Sequence, residues 1–270
     1  MSLRQFYPKR NSRQQVSIWK LNALYTTLLV AIGLQISYPL IDGEALRVVT
    51  IATVYWGATA MFLHAIIAYG IVYALQFISI TFIYALAIEQ LGSRTGWPFG
   101  SYEYSGTLGY QIYGVPLVVP FAWVMLAHPL LLVARKVTKN LVFLYGGVGM
   151  MAWDLFLDPQ MVAEERWTWE FSGSHVPFQP EIPLSNAFGW LLTGMGLMAL
   201  LNAVLRIDRR KVLASSAVPD LFLIWTWFSG VVGNIFFFDR GGVALSGGIV
   251  FGLVMIPYLF LRRFGPPANI

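Results

Sequence analysis

Apolar and polar residues do not alternate along this 270-residue chain; they fall into long blocks. Apolar blocks occupy about 21–40, 48–66, 71–89, 112–134, 141–160, 186–205, 218–238 and 243–261. Each is close to the ~20 residues that a helix needs to cross the hydrocarbon core of a bilayer. The second and third blocks are almost continuous and together too long for one crossing. They divide at AYGIVY, where Gly70 permits a tight turn. The pattern predicts an all-α polytopic membrane protein of about eight transmembrane helices, with N-terminus and C-terminus both cytoplasmic. It also predicts a single transmembrane domain over 1–270, with a basic cytoplasmic segment at 1–20 and outer aromatic loops at 90–111 and 161–185.

The basic residues support an even number of spans. With eight, one face collects Arg4, Lys9, Arg10, Arg13 and Lys20, then Arg135, Lys136 and Lys139. The same face takes Arg206, Arg209, Arg210 and Lys211, then Arg262 and Arg263, which is 14 of the 18 basic residues. Such a bias follows the positive-inside rule. Composition agrees: 57% of residues are hydrophobic and 11% charged, against about 25% charged in a soluble domain. The net charge of +5 is therefore assigned to topology and anionic lipid, not to nucleic acid. The absence of cysteine excludes disulfides, thiolate metal sites and a cysteine nucleophile. His64, His128 and His175 lack the spacing of a histidine-ligated di-iron centre. The polar start MSLRQFYPKRNSRQQVSIWK is too long for a simple cleaved signal, so the first apolar block is expected to be a retained helix. Glycines in YGGVGMM, LLTGMGLM and LSGGIVFG read as helix-packing contacts, since no strand precedes them to form a phosphate loop.

Against this apolar background, GMMAWDLFLDPQMV (Gly149–Val162) carries two carboxylates. At ~1.5 Å per residue from Leu141, Asp154 lies about 20 Å along the fifth span, and Asp158 follows one turn later on the same face. Pro159 predicts that the helix bends or ends there. Glu89 closes the third span, Asp239 closes the seventh, and Glu103 lies in the outer loop, while Asp220 stands near the other end of the seventh. A carboxylate in hydrocarbon is costly unless protonated, paired or facing water, so it marks a functional candidate. A protonated carboxyl held away from bulk water is suited to general acid work. Structural readings stand beside this one. Asp158 before proline serves equally as a loop cap, Glu89 as an interfacial residue, and Arg94, Arg166 or Arg240 as neutralising partners. His64 and His128 are expected to hydrogen-bond between helices. Trp153, Trp167, Trp169, Tyr102 and Tyr104 fit an interfacial belt, or ring faces for a carbocation or conjugated ligand.

Four blocks resemble, in order, the membrane-integral carotenoid biosynthesis proteins. They are EQLGSRTGWPFGSYEYSGTLG (Glu89–Gly109), VPFAWVM (Val119–Met125), WDLFLDPQMV (Trp153–Val162) followed by WTW, and NAFGW (Asn186–Trp190). Characterised members of that family hydrate γ-carotene and bisanhydrobacterioruberin. The loop GSHVPFQPEIPLSN departs from the Tyr-Gly-Ile-Pro segment expected before the asparagine. The resemblance implies a carotenoid hydratase that adds water across the terminal C1–C2 double bond of an acyclic end group. It implies no cofactor and no metal, a carotenoid and membrane lipid as partners, no nucleic acid, and a place in a prokaryotic cell membrane. Oligomeric state stays open. On this view Asp154 donates the proton, Asp158 or Glu89 orients the water, and Asp239 is a further catalytic carboxylate. Trp153 and Tyr104 shield the cation, and Tyr102, Trp123, Trp167 and Trp97 line the substrate. An end-group cyclase and a non-enzymatic carotenoid or isoprenoid carrier remain alternatives.

Overall fold

The structure, a computed structural model, describes residues 16–205 and 216–265. The basic residues Arg4, Lys9, Arg10, Arg13, Arg206, Arg209, Arg210 and Lys211 lie outside the described residues. Among the described residues, eight α-helices follow one another: α1 (Ile18–Ser37), α2 (Gly43–Tyr69), α3 (Ile71–Thr95), α4 (Val118–Val137), α5 (Val142–Ala163), α6 (Leu184–Val204), α7 (Ala217–Phe236) and α8 (Gly241–Phe264). Among the described residues, seven helices are long and apolar enough to cross a membrane. The exception is α5, the helix that carries Asp154 and Asp158. It packs against α4, α6 and α8, so its polar side chains lie against protein and not lipid, where an unpaired carboxyl is least costly.

The predicted division at Gly70 is present. This glycine, at φ 95°, is the single residue between α2 and α3, a conformation that costs glycine no Cβ clash. Two boundaries differ from expectation. The third helix continues past Glu89 to Thr95 and stops at Gly96 in the left-handed conformation (φ 73°). The fourth begins at Val118 and not near 112, because β2 (Gln111–Ile112) and β3 (Val115–Pro116) pair as a hairpin. The predicted irregular loops also contain β1 (Tyr102–Tyr104), β4 (Trp167–Trp169), β5 (His175–Val176) and β6 (Gln179–Pro183). Strands β1 and β4 pair antiparallel, with Tyr102 opposite Trp169 and Tyr104 opposite Trp167. The two aromatic loops are thereby fastened together over one end of the bundle.

Glycines bring α5 and α6 together. A Cβ on Gly147 would lie 2.9 Å from the Met195 nitrogen and 3.1 Å from the Leu191 oxygen, the close backbone approach that small residues permit between membrane helices. At the opposite end from the loops, Arg135 donates to the Leu205 carbonyl at 2.6 Å, and Arg262 pairs with Asp220. Helix ends α4 with α6, and α8 with α7, are held this way. His64 and His128 share a hydrogen bond of 2.9 Å between α2 and α4, as expected of them.

Pro159 neither ends nor interrupts α5, which continues to Ala163. Proline has no N–H to give the carbonyl four residues earlier, and here that carbonyl belongs to Leu155. Gln179 of β6 takes the missing role, its Nε2 donating to Leu155 O at 3.0 Å. Arg240 donates to the Pro159 carbonyl itself. The helix survives its proline because the loop supplies replacement donors. Gln179→Leu is expected to leave that buried carbonyl unpaired and to cost about 1–3 kcal/mol. Thermal unfolding of the purified protein in detergent measures it; an unchanged midpoint would show that the Gln179 bond contributes nothing.

Candidate active site

The period-two geometry of β1 turns Tyr102 and Tyr104 to one face and Glu103 to the other, exposed one. Both phenols consequently reach one carboxylate. Glu89 Oε2 accepts from Tyr102 at 2.7 Å and from Tyr104 at 2.8 Å, and its Oε1 accepts the Trp123 indole N–H at 3.0 Å. Burial, reinforced by the neighbouring Glu89 carboxylate, holds both phenols well above the ordinary tyrosine range, so they stay protonated donors.

The second acidic group comes from α5. One helical turn sets Asp154 and Asp158 on the same face of α5, and both are buried. Asn186, in the first turn of α6, donates from Nδ2 to Asp154 Oδ2 at 2.9 Å and to Asp158 Oδ2 as well. Trp167 Nε1, on β4, donates to Asp158 Oδ1 at 3.2 Å.

These groups surround a cavity of about 50 Å³. Glu89, Asp158, Asn186, Tyr102 and Tyr104 supply its polar side, and Trp123, Trp153, Trp167, Trp169 and Trp190 most of its walls, with Phe99 and Leu157. Trp123 and Trp190 stack with centroids 4.6 Å apart, and Trp153 meets Trp190 edge-on at 5.8 Å. One water needs roughly 10–15 Å³ of such space, so the cavity has room for water beside the acids. Proton donors and acceptors thus face an enclosure whose walls present ring faces, a setting suited to a transient cation. Among the described residues, no three His, Cys, Asp or Glu side chains converge as metal ligands.

Glu89, Asp158, Trp153, Tyr102, Tyr104, Trp123 and Trp167 are gathered at this one cavity. Asp154 is buried beside it and reaches it only through Asp158 and Asn186. Two predicted residues stand elsewhere. Asp239 is exposed in the α7–α8 turn, and Trp97 is 57% exposed. Position along a span does not say which way a side chain points. The arginines also differ from expectation: Arg94 is exposed, Arg166 pairs with Glu164 at 3.6 Å, and Arg240 serves Pro159. Among the described residues, none forms an ion pair with Glu89, Asp154 or Asp158. Asn186 and Trp190 were missing from the predicted site, although the NAFGW block contains both. Phe99, inside the first block, was missing too.

A second, larger space of about 340 Å³ lies between α1, α2, α5 and α7. Trp153 and Leu157 line it on one side and the acidic cavity on the other.

No solved structure matches the chain. It is similar to a bisanhydrobacterioruberin hydratase of Haloarcula japonica, 36% identical over 119 residues. That match covers 42% of this chain and 39% of the relative, so the chain matches well under half the length of that protein. The family described as "Carotenoid biosynthesis protein" matches residues 49–255, a stretch that includes every residue of the acidic cavity and most of the bundle. The chain belongs to the carotenoid biosynthesis protein family.

Proposed function

We propose that the protein is a hydratase that adds water to the terminal C1–C2 double bond of an acyclic carotenoid end group. The observation that carries this reading is the meeting of Asp158 and Glu89, on different helices, at one tryptophan-walled cavity large enough for water. Family membership and the hydratase relative supply the substrate class.

The groups present suffice for the chemistry. Asp158, which lines the cavity, delivers its carboxyl proton to the less substituted alkene carbon. The C1–C2 π bond breaks to form the new C–H bond, and positive charge develops on the tertiary carbon. Trp123, Trp153 and Trp190 offer ring faces to that charge, and the Glu89 carboxylate opposes it. Water attacks the tertiary carbon and gives its surplus proton to Glu89. A proton returned from Glu89 to the aspartate pair, through water in the cavity, restores the starting state. The sum is one water added, with no change of oxidation state overall. Asn186, which donates to both carboxyls, and Asp154 act by holding Asp158 in place; this reverses the expected order of the two aspartates, since Asp154 does not reach the cavity.

The test is to supply lycopene to the purified protein in lipid nanodiscs and weigh the product. A pigment heavier by one or two waters is the expected result. A product of unchanged mass with an altered absorption band would replace hydration by cyclisation. Unaltered pigment that stays bound would favour a carrier.

A further inference from the structure

We infer that the groove between α1, α2, α5 and α7 binds the polyene body of the substrate, and that Trp153 and Leu157 form the partition its end group passes to reach Asp158. This rests on the proposed hydratase reading and says where the rest of the substrate lies.

Size makes the first point. The acidic cavity measures about 50 Å³, whereas a void that accepts a six-carbon ring is nearer ~150 Å³. A five-carbon end group together with water does not fit unless the cavity opens into further space. The neighbouring groove offers about 340 Å³, within the range of about 300–1,000 Å³ usual for small-molecule sites.

Continuity makes the second. Only Trp153 and Leu157 are common to both linings. They lie one turn apart on α5, and Gln160 carries the same stripe further along the groove. Asp154 and Asp158 each follow the partition residues by one position, on the adjoining stripe of the helix. A chain lying in the groove is thus one side chain away from the acid. Leu157 is only half-buried and has rotamers to change, so displacing it joins the two spaces.

The lining makes the third. Phe156, Phe238 and Trp225 present aromatic surface to the groove. Trp225 donates to Gln35 at 2.5 Å, tying α7 to α1 across it. A groove held open by such a tie suits a stiff conjugated rod, which loses little conformational entropy on binding. A flexible phospholipid acyl chain is the competing occupant.

Ser229 and Val232 of α7 line the groove and are half-buried, whereas Leu221 and Ile224 of the same helix are exposed and lie outside it. The test uses lycopene with nanodisc-embedded protein and two readouts: circular dichroism induced in the visible band of this achiral pigment, and product mass. Ser229→Phe and Val232→Phe, each checked for wild-type helical content, are expected to weaken lycopene binding at least ~10-fold and to lower product in step. Leu221→Phe and Ile224→Phe should leave both readouts unchanged. Asp158→Asn should keep the induced dichroism and lose the product. Wild-type dichroism in both groove variants would overturn the assignment, as would loss of the signal when dioleoyl phosphatidylcholine is raised against fixed lycopene. Dichroism that is present in the wild type and lost only in the two groove variants, with no product even from the wild type, would refute the hydratase reading while leaving the groove assignment standing.

Discussion

Replacing Asp158 with asparagine is expected to lower hydration by about 10²–10⁴-fold, the usual contribution of a positioned acid or base. The amide matches the carboxyl in size and cannot release a proton to an alkene. It also disturbs the local bonding. Asn186 and Trp167 each donate to a different oxygen of Asp158, so an amide nitrogen must face one of these donors. That mismatch adds a stability loss of about 1–3 kcal/mol, readable as a lowered melting temperature and separable from the catalytic effect at temperatures where the variant is folded. Asp154→Asn should act more mildly, because Asp154 is linked to Asp158 through Asn186 and does not reach the cavity. Product mass in cells making only lycopene distinguishes the two. If Asp154→Asn abolishes the product while Asp158→Asn leaves it intact, Asp154 is the acid and the order proposed here is wrong.

Glu89→Gln should produce the second large effect, a loss of about 10²-fold or more in product, because an amide does not accept the proton released by water. Stability should fall as well, for Tyr102, Tyr104 and Trp123 all donate to this side chain. The indole N–H can only donate, so it cannot adapt to an amide nitrogen in the way a hydroxyl can. A double variant separates the two losses. Adding Trp123→Phe removes the donor and should recover part of the lost stability. Activity should stay low. Should activity return along with stability, Glu89 would be a framework residue that anchors the aromatic loop to α3, and a different base would have to be sought.

The candidate site is partly legible in the sequence. Asp154, Asp158 and Glu89 stood out because a carboxyl amid apolar residues needs a reason to be there. Tyr102 and Tyr104 could be paired with them only at the level of shared depth. That both phenols bond to a single oxygen of Glu89 depends on the strand β1 and on its partner β4, some 60 residues later in the chain. Asp239 and Trp97 were misplaced for the same reason in reverse, since similar depth in a bilayer does not imply a shared direction. Pro159 does not end α5, because Gln179, from a distant loop, gives the Leu155 carbonyl the donor that proline lacks.

From the sequence by itself one could determine that the chain is an all-α membrane protein of about eight long helices, where Gly70 divides two of them, and which carboxyls are out of place. These follow from local composition, because hydrocarbon demands about 20 apolar residues per helix wherever that helix sits in the bundle. Tertiary structure alone decided that Asp158 and not Asp154 borders the cavity, that Asn186 bridges the pair, and that Trp153 and Leu157 separate it from a groove. Those outcomes turn on the rotation of α5 about its own axis and on its close approach to α6 at Gly147. Bilayer depth constrains a helix along the membrane normal; its rotation is set by the neighbours it packs against.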